Sequence, residues 1–472
     1  MFGSHDVHIL QRQKMDLKFY NTLTKKIEQF SPISEKKVGM YNCGPTVYNY
    51  AHIGNLRAYI FADVLRKTLE LSGYEVTQVV NVTDIGHLSS DGDDGEDKMS
   101  KALKREGKPM TLGAMREVAD FYFEKFKEDL NSLNITPATH FPFASDHIAE
   151  DVEMVNTLLE KGSAYKTSDG IYFDTSTFPP YGALGGVVSL DGEHSRIGLN
   201  DEKKNPRDFA IWKWNDELGY DAPFGKGFPG WHIECSAMSR KYLGDTFDIH
   251  TGGIDHIPVH HNNEIAQSES VTGVQYVKYW LHSDFINIGE DKMAKSGENF
   301  ITLRTLIDKG FNPVAYRLWV LGAHYKTVMN FKWESLEGPS QALKRLYSHV
   351  RTLRNAGIGN VHSLYKERFE TALSNDLNTA DAVATLWELL KDTEVSKEDK
   401  YATALYFDKV LGLGLGTISD VVVPENIREL VNQREDARKE KDWATSDMLR
   451  DQISTLGFEI NDTPDGPDIE VK

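Results

Sequence analysis

The stretch from Val38 to Leu71 constrains the fold more than any other part of this chain. Val38 to Cys43 reads as a buried strand, and from Gly54 onward the apolar residues Leu56, Ile60, Phe61, Val64, Leu65 and Leu69 recur at helical spacing. A strand that feeds a helix through Cys43-Gly44-Pro45-Thr46-Val47-Tyr48 and His52-Ile53-Gly54-Asn55 opens an α/β unit. The first turn of such a helix is an anion site. Its backbone N–H groups and dipole favour phosphate, Gly54 lets a nucleotide approach the backbone, and the His52 imidazole and Asn55 amide can donate to phosphate oxygens. A strand, a glycine turn and a helix also occur in α/β proteins that bind no nucleotide, so the pattern alone leaves both readings open.

A second β-branched strand, Glu75 to Val82, ends at Thr83-Asp84. Residues just past the C-terminal end of a parallel strand line the ligand crevice, so Thr83 and Asp84 are expected to face whatever His52 faces. Asp91 to Asp97 reads as a solvated acidic loop. Amphipathic helices are expected over 111–133 and 147–161, the latter stopped by Gly162. Between Ala164 and Phe228 the texture changes to short strands, glycines and prolines, which marks an insertion before the sheet resumes near Phe247-Asp248-Ile249-His250. After the strand Ile286-Asn287-Ile288 comes a glycine-flanked loop with Lys292, Lys295 and Ser296. The chain then turns helical and, from Arg304 to Arg354, locally basic; helices continue to about Leu413, and two helices over 427–441 and 442–456 close it before Gly457.

With 472 residues, several domains are expected. The net charge of -18 argues against a generally basic nucleic-acid binder and leaves room for a local basic surface. No apolar run reaches the length of a membrane span and no signal-peptide pattern opens the chain, so a cytoplasmic location and no membrane partner are expected. Only Cys43 and Cys235 are present, which gives no disulfide framework; they are two buried thiols or two metal ligands. His260 and Glu264 share one helical face four residues apart. Two thiolates, an imidazole and a carboxylate suit zinc.

His52-Ile53-Gly54-Asn55 resembles the first signature of class I aminoacyl-tRNA synthetases, and Lys292-Met293-Ala294-Lys295-Ser296 resembles the second. The cysteine-bearing strings around Cys43 and Cys235, His260 to Ser268, Asn81 to Asp84 and Gly252 to Asp255 are similar to those of the cysteinyl-tRNA synthetase family, over nearly the whole chain. The resemblance implies a class I Rossmann-like parallel-sheet α/β catalytic domain with an inserted connective region, followed by α-helical C-terminal domains. In these terms the chain divides into an N-terminal lead-in (1–37), the catalytic domain (38–133 and 229–300), the connective insertion (134–228), a signature-loop and stem-contact region (301–340), a helical bundle (341–420) and a small C-terminal anticodon-binding unit (425–472).

By the same resemblance, Cys43, Cys235, His260 and Glu264 hold one Zn2+. Gly44, Thr83, Trp231 and Asp255 hold the cysteine substrate, with His232 and His250 in a histidine-rich wall. His52, Gly54, Asn55, Lys292, Lys295 and Ser296 bind ATP, used with Mg2+, and His52, Asn55, Lys292 and Lys295 carry catalysis. Cysteine tRNA is the expected macromolecular partner, met by Arg434, Arg438 and Lys441 on one face of a terminal helix, and a monomer is expected. The implied reaction makes cysteinyl-adenylate from L-cysteine and ATP and passes the cysteinyl group to the tRNA 3'-terminal ribose. A tRNA-independent cysteine ligase of the mycothiol-biosynthesis type shares the catalytic strings, and an inactive tRNA- or metal-binding paralogue is the other alternative. Asn55 stands where the family signature has a second histidine, Ala294 where it has a serine, and the C-terminal tail lacks the Trp-Arg-Arg-like ending of some relatives.

Overall fold

In the computed structural model, which describes residues 15–85, 98–186, 202–288, 291–292, 300–419, 423–463 and 466–471, the first element is an antiparallel hairpin, β1 (Lys18–Asn21) with β2 (Lys26–Gln29). Next come β3 (Lys37–Asn42), α1 (Ile53–Leu71) and β4 (Glu75–Val80), the βαβ unit that the apolar periodicity implied. β3 and β4 pair in parallel, with Val38 opposite Val76 and Asn42 opposite Val80. Beyond β4 the pairing continues as single bridges, Thr46 with Thr83 and Val82 with Phe143, which fix the backbone on both sides of Thr83.

A short helix, α2 (Lys98–Glu106), follows; it was not expected, because only Met99, Ala102 and Leu103 of its lysine-rich sequence supply a buried apolar edge. The loop 91–97 lies outside the described residues. α3 (Leu112–Ser132) starts where the Thr111 side chain accepts the Ala114 N–H, and α4 (Ile148–Glu160) ends before Gly162, whose φ is +73°. The inserted segment is an antiparallel sheet, β5 (Ala164–Lys166), β6 (Gly170–Phe173), β7 (Phe209–Trp214) and β8 (Gly227–Pro229).

The chain then returns to the parallel sheet through α5 (Trp231–Leu243), β9 (Phe247–Gly253), a π-turn over Ile257–His261, α6 (Asn262–Thr272) and β10 (Val277–Ser283). The strand order is β10-β9-β3-β4, all parallel, so connections leave β3 toward β4 on one side while β9 adds on the other. That is a switch point, and the crevice outside the C-terminal ends of β3 and β9 is where a parallel sheet receives a ligand.

β11 (Ile286–Ile288) and β12 (Asp291–Lys292) lead into the second signature, whose first residue, Lys292, ends β12, and β11 pairs with β13 (Met329–Phe331) beyond α7 (Leu303–Asp308) and α8 (Pro313–Leu321). The bundle is α9 (Glu337–Arg354), α10 (Ser363–Ser374), α11 (Thr379–Lys391) and α12 (Lys397–Leu411). Its apolar faces merge with the core around α1 and α3, whereas the terminal unit has its own small core of Ile427, Val431, Ile453 and Ile460. That unit comprises α13 (Glu425–Lys439), α14 (Trp443–Thr455) and a closing hairpin, β14 (Phe458–Thr463) with β15 (Gly466–Val471). The hairpin was not anticipated, since its strands carry acidic and proline residues in place of a β-branched run. Among the described residues no helix is long and apolar enough to cross a membrane.

The fold is tied around α1 by buried charge. Arg317 of α8 and Asp63 of α1, both fully buried, meet at 2.6 Å, and Lys67 reaches the same carboxylate at 2.8 Å. Arg57, also on α1, donates to the carbonyls of Phe285 and Thr327 and so fixes the start of β11 against the sheet.

Candidate functional site

A cleft of about 490 Å³ opens at the switch point. It is lined at one end by Cys43, Cys235 and His260 and at the other by His52, Gly54 and Asn55, with Thr83, Trp231 and Asp255 along its wall.

Each thiol-end residue sits at the end of an element. Cys43 follows β3, Cys235 lies in the second turn of α5, His260 in the π-turn, and Glu264 in the first turn of α6. His260 Nε2 is 3.1 Å from Glu264 Oε1, a fully buried oxygen that accepts no hydrogen bond of good angular geometry. Two overlapping groups share that glutamate, Cys43 with His250, His261 and Glu264, and Cys235 with His260 and Glu264, and in each the ligand atoms lie within 4.8 Å of one another. Two thiols, imidazoles and a carboxylate converging with an unsatisfied oxygen fit a metal ion of zinc's ligand preferences. Hydrogen bonding from Cys43 brings the Cys235 thiol down to about 6, while burial pushes Cys43 up. Burial works against charge on His260, yet Glu264 and Cys235 draw it up to about 10. The pair of thiols thus holds one thiolate readily, which is the form a metal takes.

The two histidines expected in the pocket wall stand behind it. His250 is fully buried and holds Glu264 Oε2 at 2.9 Å, and His232 Nδ1 meets His260 Nδ1 at 2.8 Å. Neither lines the cleft; each orients a candidate ligand, as outer groups around metals do. Sequence reasoning missed His261 and His282. His261 Nε2 is 3.1 Å from Cys43 Sγ, and its Nδ1 is 2.7 Å from His282 Nε2. His261 was hidden because it adjoins the more obvious His260, and His282 because a single histidine in a strand carries no pattern.

Along the wall, Trp231 starts α5 and lies over the His260 ring with centroids 4.3 Å apart. Gly44 is required by close approach: a Cβ there would fall 1.5 Å from the Asn81 carbonyl oxygen. Its N–H is already committed to Asn81 Oδ1 at 2.7 Å, so its contribution is to shape the wall. Asp84, expected to face the cleft, turns away and accepts from the Ser145 N–H and hydroxyl at 2.9 and 2.6 Å. Lys98, at the start of α2, and His256 also line the cleft and were not anticipated.

At the other end of the cleft, His52 caps α1 and Asn55 is its third residue. The ring of His52 stands edge-on to Phe300, centroids 5.9 Å apart, so the end of the second-signature loop rests on the first signature. Lys295 and Ser296 lie outside the described residues, and Lys292 is placed only by its backbone in β12.

The terminal face requires a correction. Arg434 is 1% exposed, and its guanidinium grips the Asp462 carboxylate at 2.9 and 3.0 Å. Helical spacing placed it with Arg438 and Lys441, but the unanticipated β14 covers it, so Arg434 faces inward. Arg438 is partly exposed and also donates to Asp462 at 3.0 Å, whereas Lys441 is exposed.

Residues 29–341 match the family described as the tRNA synthetases class I (C) catalytic domain, 368–414 the DALR domain, and 420–466 the cysteinyl-tRNA ligase anticodon binding domain. The chain is 44% identical over 460 residues to cysteine–tRNA ligase 1 of Burkholderia lata, covering 96% of each chain. It is 40% identical over 487 residues to the cysteine–tRNA ligase of Treponema denticola, covering 95% of this chain and 98% of the relative. Among solved structures, Mycobacterium tuberculosis methionyl-tRNA synthetase in complex with methionyl-adenylate matches with a TM-score of 0.56 at 15% identity, over 81% of this chain and 93% of that one. At that identity the likeness speaks for the fold.

Proposed function

The chain belongs to the cysteine–tRNA ligase family of class I aminoacyl-tRNA synthetases, and from that premise we propose how its cleft activates cysteine. The reaction joins the carboxylate of L-cysteine to the α-phosphate of ATP, releasing pyrophosphate with Mg2+. It then transfers the cysteinyl group to the 3'-terminal ribose of cysteine tRNA, releasing AMP. No side chain acts as nucleophile. The observation that carries this reading is a single cleft lined at one end by Cys43, Cys235 and His260 and at the other by the helix start at His52, Gly54 and Asn55.

At the thiol end Cys43, Cys235, His260 and Glu264 would hold Zn2+, with His250 and His232 fixing the carboxylate and the imidazole. Zinc bound there would favour the substrate thiolate over a hydroxyl, which separates cysteine from serine. Thr83, Trp231 and Asp255 seat the rest of the amino acid. At the other end the first turn of α1 receives the phosphates, with His52 and Asn55 side chains donating beside the Gly54 N–H, since the Ile53 and Asn55 N–H groups are held by the Ile301 carbonyl and by His52. Lys292, Lys295 and Ser296 close over the triphosphate and offset charge growing on the leaving pyrophosphate.

The bundle and the terminal unit favour a tRNA partner over the shorter, tRNA-independent cysteine ligase. The best test pairs cysteine-dependent ATP–pyrophosphate exchange with charging of cysteine tRNA. Exchange without charging would leave the ligase, and neither activity would leave an inactive paralogue. A cytoplasmic monomer is the working state.

A further inference from the structure

We propose that Asn81 and Glu234 are positioning residues that set the hydrogen-bond polarity of Thr83, so that its hydroxyl presents an acceptor to the cleft and selects the ammonium group of the amino acid. The inference rests on the reading that Thr83 contacts cysteine, and adds which part of the substrate it meets and why.

The polarity starts from a backbone group whose direction is not adjustable. The Gly44 N–H can only donate, and it donates to the Asn81 side-chain oxygen at 2.7 Å. That contact fixes which end of the Asn81 amide is oxygen, so the atom turned to Thr83 is Nδ2, donating to Thr83 Oγ1 at 3.0 Å. The Thr83 hydroxyl has one hydrogen, and it is directed to Glu234 Oε2 at 3.2 Å. A hydroxyl offers one donor and two acceptor positions. With one lone pair taken by Asn81 and the hydrogen taken by Glu234, what remains for the cleft is a lone pair.

The surroundings leave this arrangement one route of reversal, a proton on Glu234 Oε2, toward which burial pushes that carboxyl. Asn81, Thr83 and Glu234 are 3%, 1% and 0% exposed, so no bulk water competes for the hydroxyl hydrogen. The Thr83 backbone is clamped on both sides, its N–H to the Pro45 carbonyl at 3.1 Å and its carbonyl to the Val47 N–H at 3.1 Å. Asp255, the other polar residue assigned to the amino acid, is also an acceptor on this cleft. Two acceptors on one wall suit a donor-only ammonium and oppose a carboxylate. The substrate carboxylate is thereby turned toward the nucleotide end, where its attack on the α-phosphate requires it.

The test compares Thr83→Val, Glu234→Leu and Glu234→Gln in the metal-loaded full chain. Pyrophosphate exchange gives KM for cysteine and for ATP, and inhibition is measured with 3-mercaptopropionate, which keeps the thiol and carboxylate and lacks the amine. In Glu234→Leu the freed hydroxyl turns its hydrogen to the cleft, and KM for cysteine should rise about tenfold. KM for ATP and the inhibition constant of the amine-free analogue should move by less than about threefold. Glu234→Gln keeps an acceptor and should recover most of the loss. An equal loss for cysteine and the amine-free analogue would overturn the inference in favour of a structural role. A loss in Glu234→Gln as large as that in Thr83→Val would also overturn it, and decides the matter even if the leucine variant fails to fold. Unchanged KM for cysteine in Thr83→Val would instead remove the underlying assignment of Thr83.

Discussion

The imidazole Nδ1 of His52 accepts the backbone N–H of Asn55 at 3.1 Å, while Asn55 Oδ1 accepts the backbone N–H of His52 at 3.3 Å. This reciprocal capping box gives the first signature a structural task beside its chemical one. An Nδ1 that accepts puts the proton of the neutral ring on Nε2. The committed oxygen of Asn55 leaves its Nδ2 hydrogens for a ligand. A histidine at position 55 could give a donor as well, so under the proposed function the departure from the family signature keeps a donor for phosphate while closing the cap.

Because the two residues act as one unit, His52→Ala and Asn55→Ala should each lower the rate of adenylate formation by about 10²-fold, and the double variant should lose little more than the worse single. ATP–pyrophosphate exchange of the three proteins measures this. Fully multiplicative losses would separate the roles.

Metal removal tests the thiol end. Zinc should co-purify at one per chain, and Cys235→Ser or His260→Ala should weaken both metal and cysteine binding. With cobalt in place of zinc, the visible absorption should change on adding cysteine and stay unchanged on adding serine. A purely apolar pocket separates near-isosteres by only about 10- to 200-fold, so metal-free protein that keeps full activity and selectivity would refute the metal's part in choosing the thiol.

How much of this was legible in the sequence follows from where the information sits. β3, α1 and β4 are apolar periodic segments, and the residues after them fall at strand ends, so the position of the cleft and its two ends were readable from Cys43, His52 and Thr83. What failed depended on contacts between distant segments. His232 and His250 were expected in the pocket wall from the family resemblance, but whether a histidine on a buried helix or strand meets substrate or a neighbouring ligand is decided by packing. Asp84 turned to Ser145, a partner that only the bridge between Val82 and Phe143 brings alongside. α2 and the C-terminal hairpin carry weak local signals and are held by what they pack on.

The buried pair Arg317–Asp63 should be strongly stabilising against single changes. Arg317→Met leaves Asp63 with Lys67 and the Thr136 N–H, while the carbonyls of Leu411 and Leu133 lose their donor. A loss of about 3–5 kcal/mol in urea unfolding is expected, with a smaller loss when Arg317 and Asp63 are both replaced by apolar residues of similar volume.

Asp129 offers a pH test. Burial and the neighbouring Glu128 push its carboxyl up to about 7, and it sits near the C-terminal end of α3, where the helix dipole also opposes negative charge. A folded-state value above the unfolded one means that the folded protein binds the proton more tightly. Stability therefore falls as pH rises from the unfolded value toward 7 and then levels off. Asp129→Asn should match the parent near pH 4 and exceed it above pH 7, by about 1 kcal/mol once solvent screening at this half-buried site is allowed for. Thermal melts at the two ends of the range measure the difference, and a constant gap would assign the effect to something other than this proton.

The terminal unit separates residues that hold a surface together from residues that use it. Arg434 is enclosed by Asp462 and Glu435, so Arg434→Ala should loosen the packing of α13 on β14 and lower the unit's stability, with charging falling as a consequence of unfolding. Lys441 is exposed at the turn between α13 and α14, two residues before Trp443, which opens α14 and is 58% exposed. If this turn meets the anticodon arm, Lys441→Ala should leave stability intact, raise KM for tRNA, and reduce the slope of log affinity against log salt by about 1, the loss of one phosphate contact. Removing 425–472 should impair charging while sparing pyrophosphate exchange, because the cleft and its cysteine and nucleotide ends lie wholly outside that segment. Equal loss of both activities on truncation would make the unit a structural support for the catalytic core, and an unchanged salt slope in Lys441→Ala would move the tRNA contact to another face.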